Sequence, residues 1–144
     1  MKQIETEIII EAPIEVVWKT FIAFDAYKEW NHVIDIKGTP ELGEKLTVKI
    51  ILNDKTSTFK PKITKLEEER IIEWTGNLAH RRIFSGNHYF HFHPEGESLT
   101  RLTHGERFSG IFSRPIIRKI EKDTIAAFQK FNQAFKEQSE CLVI

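Results

Sequence analysis

The chain has 144 residues, 40% of them hydrophobic and 11 of them phenylalanine, enough for one domain that buries roughly 68–70% of its unfolded surface. Lys+Arg and Asp+Glu both number 21, so the formal charge is zero and the basic excess of a nucleic-acid binder is absent. No apolar run approaches the ~20 residues that span a bilayer, and the start "MKQIETEIII" lacks a signal-peptide pattern.

Residues 3–11, "QIETEIIIE", carry Ile8 and Ile10 among Glu7 and Glu11, the pattern of a half-buried strand. "APIEVVWKTFIAF" follows, with Pro13 suited to a first helical turn, Glu15 at the positive end of the helix dipole, and Val17, Phe21 and Phe24 on one face. "DAYKEWNHV" predicts a second short helix or turn bearing Tyr27 and Trp30. From residue 33 the period becomes two. "VIDIKG", "EKLTVKIIL", "STFKPKITKLEEE", "RIIEWTG", "RRIFSGNHYFHFHPE" and "ESLTRLTHGERFSG" read as six strands separated by turn signals. Pro61 inside the third suggests an edge or a bulge.

"SRPIIRKIEKDTIAAFQKFNQAFKEQ" differs in kind. Ser113 can cap it and Pro115 fits its first turn; Ile117, Ile120, Thr124, Phe128, Phe131 and Phe135 form one stripe on a helix of about 22 residues, roughly 33 Å long. The fold expected is α+β: a curved seven-stranded antiparallel sheet gripping a long C-terminal helix, with two short helices between strands 1 and 2, as a single domain over residues 1–144.

Alternation assigns the histidines. Phe84, Gly86, His88, Phe90 and Phe92 share the inner face of one strand, and Thr100, Leu102, His104, Glu106 and Phe108 that of the next; His91 and His93 face out, with no carboxylate or cysteine evident beside them. Matching the two apolar faces requires paired residue numbers with an even sum. A loop of residues 95–97 sets His88 opposite His104, and a slip of one allowed step sets it opposite Glu106. His88, His104 and Glu106 are thus the candidates for acid/base chemistry. Their ligand types also suit Zn²⁺ or Fe²⁺, but a hydrogen-bonded network is the expectation; neither metal nor cofactor is expected.

Phe59, Pro61, Ile63, Ile72 and Trp74 are read as further inward residues. A curved sheet closed by one slim helix leaves a hollow, the usual form of a small-molecule site. The ligand-binding set expected is Trp30, Phe59, Ile63, Trp74, His88, Phe90, His104, Glu106, Thr124 and Phe128. Two termini-related features remain. The single cysteine excludes an intrachain disulfide and fits a reducing, cytoplasmic setting. "CLVI" at 141–144 satisfies a lipidation pattern, but its final Ile and the lack of a preceding polybasic run favour an incidental apolar tail.

"IEAPIEVVWKTF" followed by "YKEWN", then "IIEWTG", "FSGNHYFHFHP…LTHGERFSG" and "FQKFNQAFK" together resemble the START-related superfamily, the helix-grip proteins of the polyketide cyclase/dehydrase and lipid-transport type, over nearly all of residues 3–138. Where that family often has Trp-Asn-Pro, this chain reads Trp30-Asn31-His32. The resemblance implies the fold and a pocket, and leaves three functions open. The first is a carrier of a small hydrophobic molecule such as a lipid, quinone or aromatic metabolite. The second is a cyclase or dehydratase using a cavity histidine as acid/base. The third is an interaction module like the chaperone activators, for which a small or collapsed cavity is expected. The carrier is favoured, because no activated nucleophile or Gly-rich phosphate loop is present. Its partner is a small hydrophobic molecule, with a homodimer allowed and no nucleic acid or integral membrane segment expected.

Overall fold

The computed structural model describes residues 2–78 and 84–143. Arg81 to Ile83, which the sequence reading attached to a strand, and Ile144 of the "CLVI" tail lie outside the described residues. The strands are β1 (Lys2–Ile10), β2 (Ile34–Lys37), β3 (Thr47–Leu52), β4 (Lys55–Phe59), β5 (Lys62–Glu67), β6 (Ile71–Leu78), β7 (Phe84–Gly96) and β8 (Leu99–Ser109). Helix α1 (Ile14–Ile22) and a 3₁₀ turn (Phe24–Glu29) separate β1 from β2, and α2 (Ser113–Cys141) closes the chain.

The seven-stranded sheet is corrected to two sheets, one of order β1-β8-β7-β6-β5 and one of order β2-β3-β4. The cause is Lys60-Pro61. Proline has no N–H to give a ladder and the chain bends there, so the single strand read as "STFKPKITKLEEE" becomes β4 and β5. The two sheets still touch at this corner: Leu46 N donates to Pro61 O (2.8 Å), and Ile63 N donates to Glu44 O (2.9 Å).

The β7–β8 register is the slipped alternative. His88 lies opposite Glu106 and Phe90 opposite His104. The reason is a bulge between Pro94 and Gly96, with Gly96 at φ 154° and Leu99 opposite it; this replaces the three-residue loop by a shorter turn. Reading across β5, β6, β7, β8 and β1, the inner face is built in rows. One row is Ile63, Trp74, His88, Glu106 and Ile4; a second is Leu66, Ile72, Phe90, His104 and Thr6. Toward the C-terminal end of β6 the next row is Gly76, Gly86 and Phe108.

Helix α2 lies on these rows with Ile117, Thr124, Phe128, Phe131 and Phe135 buried, as its stripe requires, and with Asn132 and Ser139 buried beside them. It runs longer than expected, 29 residues, and Ser113 makes no capping hydrogen bond. Its C-terminal part is tied to β1: Lys136 Nζ donates to Ile9 O (3.0 Å), and Glu140 accepts from Glu11 N (2.7 Å) and from Lys136. Beneath this half, Phe21 packs on Phe90 (4.6 Å), Phe92 (5.3 Å), Phe135 (5.6 Å) and Trp74 (6.4 Å). Tyr27 sits between Phe21 and Trp30 and donates from its hydroxyl to Phe21 O (2.5 Å).

The outer face departs from simple alternation. Tyr89, which alternation along β7 puts on the outer face, is only 1% exposed. Its ring lies across Gly105, its hydroxyl donates to Glu5 (2.7 Å) and accepts from Gln3 (2.6 Å), and the Arg107 guanidinium stacks over it at 4.1 Å. His91 has a carboxylate partner after all, Glu73 at 2.7 Å, supplied by the neighbouring strand. A methyl group on Gly105 would meet both the Tyr89 hydroxyl and the Ile4 carbonyl. Gly105→Ala is therefore expected to destabilise the fold by about 1–3 kcal/mol, read as a lowered midpoint in urea unfolding at unchanged slope.

Candidate functional site

Among the described residues the expected central hollow does not appear. Between sheet and helix the space is filled by the aromatic side chains of α1, β6, β7 and α2, and the two best-formed depressions lie on the outside of the molecule. The larger, about 420 Å³, is lined by Lys28, Asn31, His32, Asp35 and Lys49 among others, and reaches neither His88 nor His104. Eight of the eleven phenylalanines are buried, and they supply much of the volume with which the curved sheet closes on its helix.

The sequence-derived residues separate accordingly. Ile63, Trp74, Phe90 and Phe128 are buried inside, as is Thr124. Trp30 is half-buried and packs on Phe131 (5.5 Å) and Phe135 (5.7 Å), in the filled half. Phe59 is not an interior residue: it lies opposite Val48 on edge strand β4, all of which is exposed, and is itself 51% exposed because no helix covers that edge.

His88 and His104 are both buried. Their rings lie nearly coplanar, 13° apart, with Nε2 to Nε2 at 2.7 Å, and the pair is sandwiched between Phe90 and Phe128 (4.1 to 5.0 Å between centroids). The direction of every bond follows from one carbonyl. The His104 carbonyl can only accept, so Thr6 Oγ1 donates to it (2.8 Å). Thr6 has no second hydrogen, so Asn132 Nδ2 donates to Thr6 Oγ1 (2.8 Å). Asn132 thus presents Oδ1 to His104, and His104 Nδ1 donates to it (2.7 Å). A neutral His104 then accepts at Nε2, and His88 Nε2 donates. His88 Nδ1 is left as an acceptor.

Neutrality is enforced by burial. Desolvation, with a smaller repulsion from His104, lowers the His88 pKa well below its usual value. Desolvation lowers His104 to about 3 against the opposing effect of its bond to Asn132. Asn132 is the residue sequence reasoning missed. A stripe read by hydrophobicity passes over an asparagine, although its place next to Phe131 and eight residues after Thr124 puts it in the buried sector.

The imidazole pair also divides the interior. On one side is the aromatic cluster around Phe21; on the other is a smaller one of Ile4, Phe108, Ile117 and Phe128 with Phe84 and Ile125 at its border. On this second side a few residues of the inner face keep some solvent exposure. Gly76 and Gly86 sit opposite each other without side chains, and both they and Glu106 remain partly exposed. The Glu106 carboxyl lies over Gly86, in the place a side chain there would occupy. Its apolar surroundings raise its pKa to about 8. That is a carboxylic acid able to donate a hydrogen bond at neutral pH, and among the described residues none receives it. Among the described residues no three His, Cys, Asp or Glu side chains converge as metal ligands.

The whole arrangement was compared with known proteins. The family model described as polyketide cyclase/dehydrase and lipid transport matches residues 1–140. No curated protein matches the chain. Among solved structures, a protein of Thermus thermophilus is similar at TM-score 0.77 and 16% identity, covering 99% of this chain and 100% of that one. The Zhui aromatase/cyclase of a Streptomyces species gives 0.71 and 12%, covering 96% and 93%. A START superfamily protein of Mycobacterium smegmatis gives 0.70 and 16%, covering 98% and 99%. At these identities the likeness concerns the fold.

The titrating groups oppose one another. His88 and His104 are depressed in the folded chain, so their contribution is intact above the unfolded value of 6.5 and is lost as pH falls toward 3. Glu106 is raised, so its contribution is intact below 4.5 and is lost as pH rises through about 8. Unfolding free energy measured across this range should peak near pH 6.5, and in His104→Phe or His88→Phe the acid limb should be shallower.

Proposed function

The chain belongs to the polyketide cyclase/dehydrase and lipid transport family, and from that premise we propose that it binds a small hydrophobic molecule at the open end of the grip rather than at its centre. One observation carries this reading: the inner face is reached by solvent at Gly76, Gly86 and Glu106, with a protonated carboxyl aimed into otherwise apolar surroundings. Trp74, Phe84, Phe108 and Ile117 offer apolar contact there, and Glu106 and Thr124 offer polar contacts to orient a ligand's oxygen. Deeper insertion would lift the first turns of α2. The C-terminal turns are held by Lys136 and Glu140, whereas the N-terminal half rests on the small cluster of Ile4, Phe108 and Ile117, the kind of region that opens locally at low cost.

A second reading has its own support. A carboxylic acid that stays protonated near neutrality is a usable proton donor, so a cyclase or dehydratase would act through Glu106. The histidines serve it less well, because three of their four nitrogens are engaged and burial keeps them uncharged. The filled interior is what an interaction module would also have. Such a module acts from its outer surface and has no use for a raised-pKa carboxyl beside two facing glycines.

Binding of the neutral fluorescent probe N-phenyl-1-naphthylamine, with native mass spectrometry of protein from its own host, tests this. Gly76→Phe should weaken probe binding by about tenfold or more, whereas Glu106→Gln, which still donates a hydrogen bond, should stay within about threefold. Turnover of a retained molecule that vanishes in Glu106→Gln would establish the enzyme instead. Equal probe binding in Gly76→Phe would refute the site.

A further inference from the structure

Ile111 and Phe112, the link between β8 and α2, are 75% and 51% exposed. Two large apolar side chains in succession at a loop tip, each more than half uncovered by the chain itself, form an apolar patch that calls for a partner. The helix that follows carries Arg114, Arg118 and Lys122 at successive i, i+4 positions, one line on its surface, with Lys119 beside them, all exposed. Its first turn holds no acidic residue and no side-chain cap, although the amide end of a helix favours anions and disfavours cations. The carboxylates nearby are directed to other partners. Glu121 pairs with Lys2 (3.6 Å), and Asp123 accepts from Asn53 (3.1 Å).

The rest of the molecule reinforces the polarity. Phe59, followed by Lys60, is exposed at this same end, next to the Pro61–Gly76 approach. At the opposite end of the large sheet lie Glu67, Glu68 and Glu69, followed by Arg70, where β5 passes into β6, and Glu95, paired with Arg101, and Glu97 where β7 passes into β8. A chain of zero net charge is thus basic and apolar at one end and acidic at the other. Such a distribution orients a protein toward an anionic surface before contact.

We propose that this end docks on an anionic lipid surface, with Ile111 and Phe112 entering the headgroup layer and Arg114, Arg118, Lys119 and Lys122 lying against the phosphates. The attraction is reversible. Each basic side chain at such a surface contributes about fivefold, and two apolar side chains add to that without anchoring the chain permanently. The docked end is also the rim over Gly76, Gly86 and Glu106, so an apolar molecule dissolved in the bilayer would meet that opening. The docking does not depend on the ligand site.

Co-sedimentation of the full chain with phosphatidylcholine vesicles, with and without phosphatidylglycerol, decides it. Binding should require the anionic lipid and fall with added salt. Ile111→Ser/Phe112→Ser and, separately, Arg114→Gln/Arg118→Gln should each weaken it on the order of tenfold at unchanged melting temperature, since all four side chains are exposed. Without vesicles, both docking variants should keep their binding of N-phenyl-1-naphthylamine, which separates this inference from the ligand reading. No sedimentation, equal binding to neutral vesicles, or full binding by both variants would overturn it, as would a loss of self-association in the apolar variant without any vesicle binding.

Discussion

The hydrogen bond from His104 to Asn132 is the contact on which the architecture depends. It joins the middle of the sheet to the middle of the helix inside a space that admits no charge, so both partners must be neutral and correctly oriented. An apolar stripe alone allows a helix to roll or slide on a sheet with modest loss. A buried amide that must meet an imidazole on one side and a threonine hydroxyl on the other allows one azimuth and one depth. The stacking of Phe90 and Phe128 on the two imidazoles follows from that position.

From this fixed point the interior separates into unequal parts. Toward the β5–β6 turn it is solid aromatic core, and α1, the 3₁₀ turn and the C-terminal half of α2 converge there on Phe21, Phe131 and Phe135. Toward the C-terminal end of β6 the strands lose their side chains at Gly76 and Gly86. Family membership fixes the frame, and chemistry can differ only where the frame is left open. In this chain Gly76 and Gly86 stand beside Glu106, whose pKa is raised by burial just as those of the histidines are lowered by it.

Much of this was legible from alternation alone. A period of two is enough to turn His88 and His104 inward and His91 outward, because three phenylalanines on one face outweigh a tyrosine on the other. The same rule puts Tyr89 on the outer face, where it lies, but says nothing of its burial, which comes from neighbouring strands: Gly105 makes room, and Gln3, Glu5 and Arg107 cover the ring. Register stayed open between two values because parity permits both, and only the bulge before Gly96 selects one. Phe59 showed the limit of facing arguments. It points to the inner side, but inner means buried only where another layer lies above. The hollow failed for a related reason, as neither alternation nor helical spacing measures how much volume large side chains fill.

Nitrogen-15 spectroscopy of histidine-labelled protein near neutral pH addresses the central bond directly. The account requires His104 to carry its proton on Nδ1 and His88 on Nε2, each ring uncharged, with a coupling across the Nε2–H···Nε2 contact. Spectra showing an imidazolium at either position, or the two protons on the opposite nitrogens, would contradict it.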